Sequence, residues 1–181
     1  MRILTVPNLL TLLRLAVLPV IIALYQKEAW VWSGTLFAII MMTDILDGWL
    51  ARKLDQRTRL GLYLDPVSDK IIICVLFYVL AHGGIVPFWM AHLFLAREFA
   101  QNGIRAAAGK SGTVVGSNWM GKVKAFLQIV VITTGLVAPG MTNSCPWMPM
   151  LVLWAAGLVL LLSWLFLVRF IFLNRSLLAE E

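Results

Sequence analysis

Apolar runs of membrane-crossing length constrain the fold of this chain more than any other feature. Six can be read, at about 8–26, 30–50, 66–82, 85–108, 122–140 and 147–172. A helix needs roughly 20 mainly apolar residues to cross the hydrocarbon core of a bilayer. Arg97, Glu98 and Arg105 interrupt the fourth run. With 61% of 181 residues hydrophobic and 13% charged, the chain carries more apolar surface than a soluble domain of this size can hide. The expected class is all-α: a polytopic membrane protein with six transmembrane helices. Residues 1–181 read as one integral membrane domain, because the runs leave little chain for a soluble one.

The net charge of +6 raises the prospect of nucleic acid, and the placement of the charges argues against it. Arg52, Lys53, Arg57 and Arg59 lie between runs two and three. Arg105, Lys110, Lys122 and Lys124 lie at or between the ends of runs four and five, and Arg169 and Arg175 near the C-terminus. The stretches "HGGIVP" and "APGMTNSCPWMP" carry no Lys or Arg, and "QKE" sets one Lys beside one Glu. The positive-inside rule then puts both termini and both basic loops in the cytoplasm, which an even number of spans allows. Arg14 within the first run, with no small-residue site after it, argues against a cleaved signal. Cys74 and Cys145 match no metal or redox spacing and are expected to be free thiols.

Carboxylates are costly in such a chain, yet the stretch "TDILDGWLARKLDQRTRLGLYLDPVSDK" holds five aspartates. Asp44 and Asp47 are three residues apart at the end of run two; Asp65 and Asp69 are four apart at the start of run three. Each spacing puts the pair on one helix face. A short link makes the two runs an expected antiparallel hairpin, with the pairs converging near the cytoplasmic boundary. Four carboxylates together need cations, and hard oxygen ligands suit Mg²⁺, Mn²⁺ or Ca²⁺. Two such ions can serve displacement at phosphorus. Gly48 and Gly61 permit close approach of a ligand, and Arg52 stands one turn on from Gly48, suited to a phosphate. A plainer reading makes Asp65 an N-cap before Pro66 and pairs Asp44 and Asp47 with Arg52 and Lys53. Ionisable residues inside a membrane are by default functional, which favours the metal reading for all four.

Asp44-x-x-Asp47-Gly48-x-x-Ala51-Arg52, eight residues, Gly61, three residues, Asp65, three residues and Asp69 match every fixed position of the CDP-alcohol phosphotransferase motif. The chain resembles that family over almost its whole length. The resemblance implies six helices and metal-dependent transfer of a phosphatidyl or similar group from a CDP-linked donor to an alcohol, releasing CMP. It implies Asp44, Asp47 and Asp65 as ligands of Mg²⁺ or Mn²⁺ in a two-ion site. Asp69 would be the catalytic base and a further metal contact. Gly48, Arg52 and Gly61 would line the donor site. It also implies a homodimer in a bacterial cytoplasmic (inner) membrane, with the active site facing the cytoplasm.

Asn8, Thr11 and Arg14 recur at three-residue steps in "VPNLLTLLRL", similar to the family's donor-side first helix. Polar residues on a membrane helix seek a bundle interior; the plainer reading is an interfacial helix with a snorkelling arginine. Arg97, Gln101 and Arg105 share a face at four-residue spacing, followed by Lys110, Lys122 and Lys124. This region is similar to the branch of the family whose acceptor is sn-glycerol 3-phosphate. Arg105, Lys122, Arg97, Lys110 and Lys124 are therefore candidate contacts to the acceptor phosphate; the plainer reading is loop charge obeying the positive-inside rule. The expected donor is CDP-diacylglycerol and the products phosphatidylglycerol phosphate and CMP. Serine, inositol phosphate or phosphatidylglycerol are alternative acceptors within the family. Intramembrane prenyltransferases need more spans, and a divalent-cation transporter would distribute its acids through the bilayer depth. "GKS" at 109–111 is no P-loop, because Gly103 and Gly109 enclose five residues rather than four. His82 and His92 have no second metal ligand at useful spacing.

Overall fold

The computed structural model describes residues 6–53, 59–110 and 119–173, and at 6–8, 44–53, 59–66, 105–110, 120 and 173 it describes the helical backbone without side chains. Six helices account for nearly all of it: α1 (Val6–Gln26), α2 (Trp30–Lys53), α3 (Arg59–His82), α4 (Phe88–Lys110), α5 (Trp119–Val137) and α6 (Met148–Leu173). A 3-10 turn, Ala138–Met141, precedes the last link. Five helices begin and end within a few residues of the expected runs. The sixth, α3, starts seven residues early, so Asp65 and Pro66 lie inside it. Asp65 is therefore not its N-cap. Pro66 has no N–H to give the carbonyl four residues back.

Among the described residues, three helices contain stretches long and apolar enough to cross a membrane: Leu9–Gln26, Gly121–Met141 (with the 3-10 turn) and Met148–Phe172. Trp30–Thr43 is a shorter apolar segment. Outward faces carry large apolar side chains such as Trp32, Met42, Trp154 and Phe172. A helix that is hydrophobic all round belongs in a core or a bilayer, and only closed hydrogen-bonded elements such as helices satisfy their backbone there.

The helices form two layers of three. One layer runs α1–α3–α4 and the other α2–α5–α6, with α1 facing α2, α3 facing α5 and α4 facing α6. Two squares result, α1–α2–α5–α3 and α3–α4–α6–α5, sharing the α3–α5 wall. Helices α2 and α3 run antiparallel, as expected, but not side by side. Among the described residues α2 and α3 stand on a diagonal of the first square, with α1 and α5 between them.

The core follows from i, i+4 stripes. Ile72, Leu76 and Leu80 of α3 are buried with Phe37, Ile132 and Leu136, and Phe77 stacks on Phe94 with ring centroids 3.9 Å apart. Small residues let helices approach closely. At Gly34 an added Cβ would lie 2.4 Å from Val137 Cγ2 and 3.2 Å from the Thr133 carbonyl, so α2 and α5 meet there almost backbone to backbone. The three described connections meet at one end of the bundle. Tyr25 lies edge-on to Trp30 at 4.8 Å, Gly83 abuts Tyr25, and Gly140 abuts Trp30. Successive helices thus reverse direction. Val6, Lys53, Arg59, Lys110, Trp119 and Leu173 fall at the opposite end.

Gly34→Ala should lower the unfolding free energy by about 1–3 kcal/mol, the usual cost of overpacking. Adding Val137→Ala should return part of it, since the two sites touch. Denaturant unfolding of the purified protein in detergent measures both.

Candidate functional site

Among the described residues, buried charges are paired, and they form two polar centres, one in each square. The first is built on α1 and α3. Arg14 Nη1 donates to Asp69 Oδ1 at 2.7 Å, linking residues 55 positions apart. The Arg14 side chain is 4% exposed and that of Asp69 40%, so the guanidinium is enclosed while the carboxylate reaches an opening. Thr11, one turn before Arg14, is also buried, while Leu9, Leu12 and Leu13 face outward. Arg14 thus reaches into the bundle to a carboxylate and does not snorkel to an interface. The side chain of Asn8 lies outside the described residues.

The remaining motif positions are fixed along their helices. At 1.5 Å per residue, Asp44 and Asp47 stand about 9–14 Å from the C-terminal end of α2. Asp65 and Asp69 stand about 9–15 Å from the N-terminal end of α3. Both helix ends lie at the same end of the bundle, so the two pairs occupy matching depths, Asp47 with Asp65 and Asp44 with Asp69. Gly48 and Arg52 follow on α2, and Gly61 precedes on α3. The side chains of Asp44, Asp47, Arg52 and Asp65 lie outside the described residues. Four carboxylates at matching depth, one of them partly exposed, suit a hard divalent cation such as Mg²⁺ or Mn²⁺.

The second centre fills the other square. Arg97 of α4 donates from Nε to the Ser163 carbonyl of α6 at 3.0 Å. Its Nη1 donates to Glu98 Oε1 at 3.0 Å and to Gln101 Oε1. Lys124 of α5 donates to the same Glu98 oxygen. Arg97, Glu98, Lys124, Gln128 and Ser163 are all buried. One carboxylate therefore holds two cations and ties α4 to α5, while Arg97 carries the tie on to α6. Taking charges out of water costs several kcal/mol per ion, which only close pairing and full hydrogen bonding offset.

Asp69 and Lys70 are neighbours on α3, about 100° apart around the helix, and they serve different squares. Asp69 turns to α1, and Lys70 donates to Asn102 Oδ1 of α4. The shared wall thus carries one polar residue to each centre.

Of the basic residues expected near the acceptor, the structure brings Arg97 and Lys124 together and leaves Lys122 on the exposed face of α5. Residues two apart on a helix point to nearly opposite sides, so Lys122 and Lys124 cannot share a pocket wall. The side chains of Arg105 and Lys110 lie outside the described residues. Sequence reasoning missed Glu98, although a carboxylate within an apolar run was itself a signal. It also missed Asn102, Gln128 and Ser163, whose neutral side chains give little warning.

With this geometry in view, relatives are informative. A family model described as CDP-alcohol phosphatidyltransferase matches residues 4–169. The CDP-diacylglycerol–glycerol-3-phosphate 3-phosphatidyltransferase of Bacillus subtilis (strain 168) is 32% identical over 146 residues, covering 72% of this chain and 76% of that protein. The protein of the same name from Salmonella choleraesuis (strain SC-B67) is 36% identical over 143 residues, covering 74% and 78%. That from Escherichia coli (strain K12) is 34% identical over 144 residues, with the same coverage.

Glu98→Gln leaves two buried cations without their carboxylate and should destabilise the protein by about 3–5 kcal/mol. Because Lys124 shares that carboxylate, the double variant Glu98→Gln/Lys124→Met should lose less than the sum of the two single changes. Unfolding curves of the three variants measure the coupling.

Proposed function

Since this chain belongs to the CDP-alcohol phosphatidyltransferase family, we propose that it transfers the phosphatidyl group of CDP-diacylglycerol to sn-glycerol 3-phosphate. The products are phosphatidylglycerol phosphate and CMP. The observation that carries this reading is the buried placement of Arg97 and Lys124 on Glu98, in the square that shares α3 with the aspartate centre. It offers an anionic acceptor a cationic site next to a carboxylate able to take its proton. The names of the relatives agree with this acceptor.

The residues divide the work. Asn8, Thr11 and Arg14 on α1, with Gly48, Arg52 and Gly61, line the donor side. Arg14 holds the Asp69 carboxylate in place through its 2.7 Å bond. Asp69 accepts the proton of the acceptor hydroxyl as that oxygen attacks phosphorus in line with departing CMP. Arg97 and Lys124 hold the acceptor phosphate, with Arg105, Lys110 and Lys122 supplying positive charge around its entry. Asp44, Asp47, Asp65 and Asp69 would hold two Mg²⁺ or Mn²⁺ ions, which when bound neutralise the diphosphate and stabilise charge on the leaving group.

In this reading α1 to α6 all span a bacterial inner membrane. Both termini and the basic 52–59 segment are cytoplasmic, and two copies form a homodimer. The end of the bundle opposite the described connections then admits cytidine and glycerol 3-phosphate from the cytoplasm while the acyl chains stay in the lipid.

Purified protein given labelled CDP-diacylglycerol should consume it with sn-glycerol 3-phosphate and not with serine, inositol phosphate or phosphatidylglycerol. Turnover with one of these instead would reassign the acceptor. Asp69→Asn should lower kcat by about 10²–10⁴-fold, the usual worth of a general base, with donor binding retained. Equal loss of donor binding would remove Asp69 from that role. Cys145 stands among the residues linking the 3-10 turn to α6. A membrane-impermeant thiol reagent should label it in cells whose outer barrier is opened, and labelling only after access to the cytoplasm would reverse the orientation.

A further inference from the structure

The second polar centre is rich in hydrogen-bond donors and short of acceptors. Lys124 is buried and, among the described residues, makes one hydrogen bond, to Glu98 Oε1. An ammonium carries three N–H donors, and Glu98 Oε1 is already shared with Arg97. One turn deeper on the same face of α5 stands Gln128. It is 3% exposed, and among the described residues its buried Nε2 has no hydrogen-bond partner. Arg97 and Lys70 act electrostatically on Lys124 together with Glu98. Both have partners of their own, whereas Lys124, among the described residues, relies on Glu98.

Leaving an amide donor buried and unsatisfied costs about as much as a lost hydrogen bond. Such a residue in a bundle interior needs a reason, and an apolar side chain of the same length would fit without that cost. The donors left over here belong to one ammonium and one amide, stacked at i and i+4 on α5. What they lack is oxygen acceptors carrying negative charge, and a phosphate group supplies them.

We propose that Gln128 is a specificity-determining residue for the acceptor, donating from Nε2 to an oxygen of the phosphate whose charge Lys124 meets. Glu98 is the positioning residue that holds Lys124 beside it. The inference rests on the acceptor reading above and extends it to a residue that bears no charge.

The test compares wild type with Gln128→Met, which keeps the length and removes the donors, and with Gln128→Glu, which sets a negative charge against the phosphate. Three quantities are read: KM for sn-glycerol 3-phosphate, KM for CDP-diacylglycerol, and the inhibition constant of inorganic phosphate against the acceptor. Hydrogen bonds to charged groups correspond to about a 10–150-fold effect. Gln128→Met should raise the acceptor KM and the phosphate inhibition constant together by that factor, leave the donor KM within about twofold, and leave Tm equal or higher. Gln128→Glu should raise both at least as far. Unchanged acceptor KM and phosphate inhibition in Gln128→Met would refute the subsite while leaving the reaction itself standing. A fall in Tm with both KM values rising together would make Gln128 structural, and a rise in donor KM alone would assign it to the donor phosphate; either overturns the proposal. Should the wild type fail to use sn-glycerol 3-phosphate, phosphate binding is measured directly by calorimetry. Weaker binding in Gln128→Met then supports the subsite, although the acceptor reading has fallen.

Discussion

The interior charges of this bundle are the constraint on which the rest depends. An arginine within an apolar first helix is tolerable only if another helix answers it. Arg14 and Asp69 answer each other at 2.7 Å, which sets the register of α1 against α3. Glu98 does the same for α4, α5 and α6 by holding Lys124 and Arg97 on one oxygen while Arg97 reaches the Ser163 carbonyl. Lipid-facing Leu and Val give helices no preference for one another, so these few contacts, with the close approach at Gly34, specify which helix lies beside which.

The two-layer arrangement turns that register into chemistry. α3 belongs to both squares, and adjacent residues on it face different ways: Asp69 to the donor-side helix, Lys70 to α4. A reaction that joins two substrates needs each held separately and their reacting groups brought together. A shared wall meets that need with one helix. Under the proposed reaction, the carboxylate assigned as base and the cations assigned to the acceptor would be fixed relative to one another through a single rigid element, which favours a near-attack geometry.

Much of this was legible in the residues themselves. Run lengths located six helices because a twenty-residue apolar stretch has few other fates, and the three-residue steps of Thr11 and Arg14 foretold a buried face. The start of α3 was hidden. Asp65-Pro66 has the local chemistry of a helix beginning, and the helix runs through it. The hairpin expected of α2 and α3 kept its antiparallel sense, but among the described residues the two are not lateral neighbours. Chain adjacency limits how far apart two helix ends can lie, but lateral neighbours are chosen by interior contacts among residues far apart in sequence, such as 14 with 69 and 98 with 124. The placement of the basic cluster was hidden in the same way, since composition shows that Lys122 and Lys124 are near each other and not that helix geometry sends one outward and the other into Glu98.

The end of the bundle where the described connections meet has a consequence for the cell as much as for catalysis. Beyond the polar centres the interior is filled by Phe37, Phe77, Leu80, Phe94 and Leu136, each buried, and the turns close over it through Tyr25, Trp30, Gly83 and Gly140. A site holding several charges within a membrane protein is half of an ion pathway. What separates it from a whole one is this hydrocarbon plug, whose buried phenyl and aliphatic side chains offer a proton or sodium ion no oxygen ligand. Under the proposed reaction, a bundle built this way would bring charged, water-soluble compounds into the thickness of a bilayer and still leave its electrochemical gradient intact.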